Sequence, residues 1–405
     1  MSTASGGMGS SSLGIKFDNR NLRELPLDKE TKNFVRSVSG AVYSRVKPTP
    51  VKAPALMSFS EDALALLGIA APSSEAEREE LTQYMAGNQL LDGSDPAAHC
   101  YCGHQFGNFA GQLGDGAAIS LGEVLNDGTS QRWELQLKGA GPTPYSRSAD
   151  GRKVLRSSIR EYLMSEGMHY LGIPTTRAAT IVTSDSRVVR DPHYDGTRLN
   201  ERCTVVSRLA PNFFRFGSFE IFKGHERGPG ARAGPSAGDA TLRDALTDHL
   251  LTHFFPDAVA KGGTSRDERV VHMFSEVVRK TAELVAAWDA VGWVHGVLNT
   301  DNMSMMGLTI DYGPYGFMET CDPEYTPNGS DGSARYSYGA QREMCRWNCG
   351  KLAEALEAYM PRDAAEERIQ VDFDAVYQEA YLRRFSAKLG LTQVGNKGGG
   401  VDAHL

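Results

Sequence analysis

The chain has 405 residues, 40% hydrophobic and 23% charged, with a formal net charge of -7. That length accommodates two or three structural units, or one two-lobed enzyme, around a sizeable core. The acidic balance excludes a global basic field for nucleic acid, so any phosphate site has to be built locally.

Met1 to Gly14 is Ser/Gly-rich and uncharged, lacks the apolar core of a secretory signal, and is expected to be a disordered tail. No apolar run is long enough to span a bilayer. Six cysteines are too few for a disulfide scaffold and predict a reduced, intracellular protein. His99-Cys100-Tyr101-Cys102-Gly103-His104, with Cys345 and Cys349, invites a zinc reading, but neither cysteine pair has Cys-x2-Cys spacing, and packed or turn cysteines are the simpler expectation.

Residues 15–222 read as a sheet-rich nucleotide-binding lobe. Ser58 to Gly68 has a capped helix start and a glycine stop, and a second helix is predicted from Glu75 to Ala86. After the glycine-rich stretch Gly103 to Gly116, strands are predicted over Ala117 to Val124 and Gln131 to Lys138, with a turn at Asp127-Gly128. The second strand alternates, Trp133, Leu135 and Leu137 against Arg132, Glu134, Gln136 and Lys138. A polar Gly/Pro loop leads to a helix from about Arg152 to Tyr170, and strands follow over Ala178–Thr183, Ser186–Arg190 and Cys203–Leu209. Residues 223–240 are Gly/Pro-rich and read as a linker. Residues 241–393 read as a helical lobe, with a long helix from Asp267 to Val291 buried along Val271, Phe274, Val278, Leu284, Val285 and Trp288, and helices near Gln341–Tyr359 and Phe373–Leu389. Residues 394–405 are again expected to be disordered. A sheet-rich lobe followed by a helical one suits a nucleotide held at the seam.

Four constellations carry chemistry. His295 to Ser304 is a polar loop after the long helix, and Gly307-Leu308-Thr309-Ile310 leads into Asp311-Tyr312-Gly313. That order resembles a kinase catalytic loop followed by Asp-Phe-Gly, with Asn302 and Asp311 able to hold magnesium alongside phosphate oxygens. Lys138, ending a strand, and Glu161, on the next helix, match the lysine–glutamate pair that aims an ammonium at phosphates. Gly111, Gly114 and Gly116 could let backbone N–H groups approach a nucleotide, although turns explain most such glycines. Arg208 and Arg215, among Phe213, Phe214 and Phe216, read equally as a phosphate clamp or as surface arginines stacked on aromatics.

Together these segments resemble the selenoprotein O family of pseudokinase protein adenylyltransferases, from about Lys16 to Gln393. The resemblance rests on His99 to Gly107, Glu134 to Pro144, Ala149 to Glu161 and His295 to Asp311. It implies an α+β, protein-kinase-like bilobal fold and transfer of AMP from ATP to Ser, Thr or Tyr hydroxyls of proteins, with ATP bound in a flipped orientation and pyrophosphate released. It also implies Lys138 and Glu161 as the phosphate lysine and its partner, and Gly114, Gly116, Ala117, Asp150 and Gly151 as nucleotide contacts. Arg208 and Arg215 would hold the inverted phosphates, Asn302 and Asp311 would bind Mg2+ or Mn2+, and Asp301 would be the general base. The implied compartment is mitochondrial for a eukaryotic member and cytoplasmic for a bacterial one.

Ala117 departs from the pattern, since many bacterial members carry Arg there. Val297 stands where a kinase has the Asp of His-Arg-Asp, which argues against ordinary γ-phosphoryl transfer. Family chains also continue well past Gln393, so redox control through a C-terminal residue is not expected here. A conventional γ-phosphotransferase and a catalytically impaired nucleotide-binding scaffold are the competing readings.

Overall fold

The computed structural model describes residues 13–192, 195–225 and 231–391. The tails expected over 1–14 and 394–405 lie outside them, apart from Leu13 and Gly14. The fold is α+β, with a sheet-rich N-terminal region and a helical C-terminal part. The chain divides into two compact units. The first comprises the described residues up to Ala260 together with Asn299–Gly313, and the second comprises Lys261–Leu298 and the described residues from Pro314.

The first unit is built on helices α1 (Arg20–Glu24), α2 (Glu61–Leu66), α3 (Glu75–Met85), α4 (Leu155–Tyr170), α5 (Phe216–Glu220) and α6 (Ala240–Phe254). Its strands are β1 (Tyr43–Arg45), β2 (Ala55–Phe59), β3 (Ala97–His99), β4 (Cys102–Gln105), β5 (Asn108–Gln112), β6 (Ala118–Leu125), β7 (Arg132–Lys138), β8 (Lys153–Val154), β9 (Arg177–Arg190) and β10 (Leu199–Ala210). The main sheet has eight strands in the order β1-β3-β6-β7-β10-β9-β2, with β8 paired to β10. The glycine-rich stretch forms a separate hairpin, β4–β5.

Local sequence explains the boundaries. Ser60 caps α2 by accepting from the Ala63 N–H, and Ser74 caps α3 through the Glu77 N–H. Gly68 ends α2's turn at φ 76, a left-handed conformation glycine takes without cost. The strands predicted over Ala178–Thr183 and Ser186–Arg190 are one continuous strand, β9, because β10 pairs with it along both halves. The alternation in β7 is real, but Glu134 and Gln136 are as buried as Leu135 and Leu137. Both faces of this central strand are covered, and its polar face lines the site described below.

The division between units falls at Ala260, not within 223–240. The described part of that stretch is tied back onto the first unit: the Ser236 N–H donates to the Ile221 carbonyl (3.0 Å), and the Gly40 N–H donates to Ser236 Oγ (3.0 Å). Residues 299–313 belong to the sheet-bearing unit and not to the helical one.

The second unit is organised by a 24-residue helix, Arg266–Asp289, capped by Ser265. Its buried stripe includes Val270, Phe274, Val278, Leu284, Val285 and Trp288, so Val270 replaces the expected Val271. Helices Gln341–Ala355 and Asp374–Lys388 lie on it. Each fully buried Leu, Val or Phe here contributes about 1.5–3 kcal/mol. Among the described residues no helix is long and apolar enough to cross a membrane.

Candidate active site

Strand register assembles the site. On β10, Arg208 stands opposite Gln136 of β7, and Val206 stands opposite Lys138. Side chains two apart share a face, so Gln136, Lys138 and Arg208 project together. Helix α4 lies over this face, held by Tyr162, Leu155 and Ile159 against Ala178, Ile181 and Val206. That packing delivers Glu161, one residue before Tyr162, onto the cationic groups.

The opposing wall is the 299–313 loop, pinned at both ends. The Met305 N–H donates to the Phe214 carbonyl (3.0 Å) and the Phe216 N–H to the Met303 carbonyl (2.9 Å). The Thr309 N–H donates to the Pro174 carbonyl (2.9 Å), and the Thr176 N–H to the Thr309 carbonyl (3.1 Å). Within residues 307–310, Thr309 bridges to Thr175. Asp311 follows in the left-handed region (φ 58), a conformation that non-glycine residues adopt at some cost and mostly where surrounding contacts hold them.

Those contacts are cations. The Asp311 carboxylate accepts from Lys138 Nζ (2.7 Å), from Arg208 Nη1 (2.6 Å) and from Arg215 Nη1. Glu161 braces the same groups, 2.9 Å from Lys138 Nζ and 3.2 Å from Arg208 Nη1. Burial alone would raise the Asp311 pKa, but Arg215, Lys138 and Arg208 outweigh it and hold the carboxyl well below its usual range. Burial likewise works against Arg208 and Arg215, and the Asp311 charge overrides it, leaving both guanidinium groups more firmly protonated than in water. Both arginines are buried. Arg215 stacks over Tyr101 (4.6 Å) and Arg208 over Phe213 (5.2 Å). They are thus buried, ion-paired groups and not surface arginines.

Asp301 lies in a different setting. It sits in a single 3-10 turn, Thr300–Asn302, and its backbone carbonyl accepts from Arg215 Nη1 (2.6 Å). The side chain is buried, and Oδ1 has no hydrogen-bond partner among the described residues. Burial pushes its carboxyl up to about 7, and the Arg215 charge only partly offsets this. The turn is fixed by Thr300, whose hydroxyl donates to Glu220 (2.6 Å) and accepts from the His104 N–H (2.7 Å).

Sequence reasoning left out several members of this site. Gln136 accepts from Arg208 Nε (3.1 Å) and donates to Asp115 (3.0 Å), and Asp115 lies 3.6 Å from Arg215. These side chains position the two arginines. Gln136 was signalled by its alternation with Lys138, whereas Asp115 was hidden between Gly114 and Gly116. Burial, with Lys138 beside it, pulls Lys153 down to about 8.

The remaining expected contacts have partners of their own. A Cβ on Gly114 would meet the Tyr145 ring at 2.4 Å, and one on Gly116 the Tyr145 carbonyl at 2.9 Å, so close packing explains both glycines. Ala117 accepts at its carbonyl from the Gly139 N–H (2.7 Å), beside the end of β7. Asp150 makes a two-pronged ion pair with Arg190 (2.7 and 2.8 Å), and Gly151 packs on the Gly141 carbonyl. Cys100 and Cys102 are buried, and burial raises the Cys100 thiol to about 12, which does not favour a thiolate ligand.

Asp311 and Asn302 offer only oxygen donors from their acid and amide groups, the chemistry that Mg2+ or Mn2+ accepts when phosphate oxygens complete its shell. The orphaned Asp301 Oδ1 beside them is a further oxygen awaiting a partner. The residues present therefore fit a nucleotide-bound divalent ion.

A family model described as "Protein adenylyltransferase SelO" matches residues 27–400. The human "Protein adenylyltransferase SelO, mitochondrial" is 54% identical over 387 residues, covering 94% of this chain and 58% of the human one. The zebrafish (Danio rerio) "Protein adenylyltransferase SelO-1, mitochondrial" is 53% identical over 388 residues, 93% of this chain and 55% of that one. The "Protein nucleotidyltransferase YdiU" of Azoarcus sp. is 50% identical over 382 residues, 93% of this chain and 69% of that one. The chain thus spans little more than half the length of its animal relatives.

Proposed function

The chain belongs to the protein adenylyltransferase SelO family, and on that premise we propose that it transfers AMP from ATP to Ser, Thr or Tyr hydroxyls of proteins, with the nucleotide flipped in a kinase-like fold. The carrying observation is the convergence of Lys138, Arg208 and Arg215 on Asp311, with Asp301 set apart from them as an acid that has Gln105 on Oδ2 (3.4 Å), no partner on Oδ1 and a carboxyl that burial pushes up to about 7. Attack by a hydroxyl oxygen on the α-phosphorus forms the new P–O bond and breaks the bond to the β-phosphate. Pyrophosphate leaves, and the developing charge on it needs fixed cations. Preorganised donors of this kind typically stabilise such charge by about 3–4 kcal/mol each. Arg208, Arg215 and Lys138 bind and orient the β- and γ-phosphates, while Glu161, Gln136 and Asp115 keep the cations aimed. Asp301 accepts the hydroxyl proton at its carboxylate, where a pKa near the working pH is the most effective. Asn302 and Asp311 would hold Mg2+ or Mn2+, which supplies charge neutralisation on the phosphates. Ala117, Asp150, Gly151, Gly114 and Gly116 contact the nucleotide in this reading. The animal relatives' names place those proteins in mitochondria, and we extend that compartment to this chain.

The test is incubation of the purified chain with cell lysate and metal, in parallel with ATP labelled at the α- or at the γ-phosphate. Protein label from α-labelled ATP alone, with pyrophosphate released, is the expected result. Label from γ-labelled ATP alone would mean a phosphotransferase, and no label from either would leave a nucleotide-binding scaffold.

A further inference from the structure

Outside the active site, α1 and α6 bring together three side chains that the proposed reaction does not use. Glu24 ends α1, and His249 and His253 stand four residues apart on α6. Residues at that spacing share one helix face, and His-x3-His on a helix is a recurrent way to present two imidazoles to one metal ion. Glu24 Oε2 is 2.9 Å from His249 Nδ1 and 2.6 Å from His253 Nε2, and the three ligand atoms lie within 4.8 Å of one another. We propose that Glu24, His249 and His253 form a binding site for a borderline divalent transition ion such as zinc, tying α1 to α6.

The donor atoms and their surroundings argue for a metal over a simple hydrogen-bonded triad. The far nitrogen of His249, Nε2, meets Asn21 Oδ1 at 2.8 Å, and a carbonyl oxygen there accepts the Nε2 proton. Asn21 is itself anchored, its N–H donating to Glu123 at 2.5 Å. With its proton on Nε2, His249 presents a bare lone pair at Nδ1 to a carboxylate oxygen that also has none to give. Two acceptors facing each other call for a metal ion or a second proton between them. An outer partner that fixes the tautomer and aims the ring is the usual support of a ligating histidine. His249 is buried, whereas Glu24 and His253 are partly exposed (side chains 41% and 20%), which leaves an open side for water as a fourth ligand. Two donors on a tetrahedral zinc stand roughly 3.3 Å apart, so Glu24 Oε2 needs to part from the two imidazole nitrogens by about 0.4 and 0.7 Å. The nearby cation Arg20 is occupied by Glu123 (3.8 Å) and the Phe254 ring (5.0 Å). Nitrogen donors select zinc, cobalt or nickel over magnesium or calcium. Helix α1 has only five residues, too short to be stable alone, so a metal clip at its end has a structural consequence.

The experiment uses the chelator-treated full chain with magnesium in excess, so that oxygen-only sites are occupied. Zinc is titrated by calorimetry, and cobalt(II) is titrated by visible absorption, where tetrahedral coordination gives intense bands. Wild type is expected to take up one zinc per chain, to show the cobalt bands, and to melt about 5 °C higher at a hundredfold excess over Kd. His253→Gln and Glu24→Gln, both at partly exposed positions, are expected to lose the bands and the shift while keeping the wild-type circular dichroism. If His253→Gln fails to fold, Glu24→Gln decides. Absence of zinc uptake by the wild type, or an unchanged stoichiometry in a folded variant, would overturn the proposal and leave a hydrogen-bonded triad.

Discussion

Asp301 and Asp311 leave one loop ten residues apart, and both are largely enclosed, yet their chemistry is opposite. Asp311 is ringed by two guanidinium groups and an ammonium and is held as a permanent anion. Asp301 receives the same desolvation with little compensation, its one nearby guanidinium being spent on its backbone carbonyl, and it titrates near 7. Residue type does not assign the role; the partners do. Two carboxyls whose environments push them apart are the usual mark of divided labour in a catalytic site. In the proposed reaction one is the anchor of cations and metal, and the other the proton acceptor.

The sharpest way to break this contrast is Asp311→Ala. It removes the proposed metal carboxylate and strands three buried or half-buried cations. Transfer from α-labelled ATP is expected to fall by at least about a thousandfold, and urea melts should show a loss of about 3–5 kcal/mol, as when one partner of a buried ion pair is deleted. Retained transfer would dissolve the assignment of Asp311. Next in size is Asp301→Asn, expected to slow transfer by about 10²–10⁴-fold while ATP affinity stays within about twofold, because the phosphate clamp is untouched. In the wild type, the rate should rise with pH through about 7 as Asp301 ionises, and that limb should vanish in the variant.

The same two residues predict opposite stability profiles. The folded pKa of Asp301 is raised above its unfolded value, so the folded state holds a proton that the unfolded chain releases. Its contribution is present below about pH 4 and is lost as pH rises to about 7. Asp301→Asn should therefore gain on the wild type across that window, with an upper bound of about 4 kcal/mol at 1.36 kcal/mol per unit. Asp311 has the reverse sign. Its stabilisation is present above the ordinary carboxyl range and is lost as acid protonates it. Thermal melts of wild type and Asp301→Asn at pH 4, 6 and 8 separate the two. A gap that stays constant with pH would mean that Asp301 is not held protonated.

Much of the anchor was legible in the sequence, and little of the acceptor's setting was. Lys138 and Glu161 follow from period-two and helical patterns, because each lies on a regular element whose face is fixed by its neighbours. Asp311 was marked by the Asp-Tyr-Gly that follows a polar loop. What could not be read is register: that Gln136 faces Arg208, and that Asp115 reaches both Gln136 and Arg215, depends on β7 pairing with β10, which no local pattern specifies. The 223–240 stretch misled for a related reason. Gly and Pro signal an irregular backbone, but whether that backbone separates units depends on long-range hydrogen bonds such as Gly40 N–H to Ser236 Oγ. Likewise the 299–313 loop is next to a helix in sequence and belongs to the sheet unit in space.

The smallest effect tests why Asp301 is isolated. Gly103 has an ordinary backbone, so alanine is not strained there, but its Cβ would sit 2.4 Å from Asp301 Oδ1 and 2.8 Å from Leu113 Cδ1. The side chain of Asp301 must move, whereas the cluster around Asp311 need not. Gly103→Ala is expected to cost about 1–3 kcal/mol of stability, as overpacking does, and roughly tenfold in transfer, with unchanged ATP affinity. Because the tightest clash is with Asp301, adding Gly103→Ala to Asp301→Asn should cost little further activity, a non-additivity that a double-mutant cycle measures directly. Full additivity would mean that Gly103 serves the reaction by another route, and that the bare Asp301 carboxyl is not what the β4 backbone is shaped to accommodate.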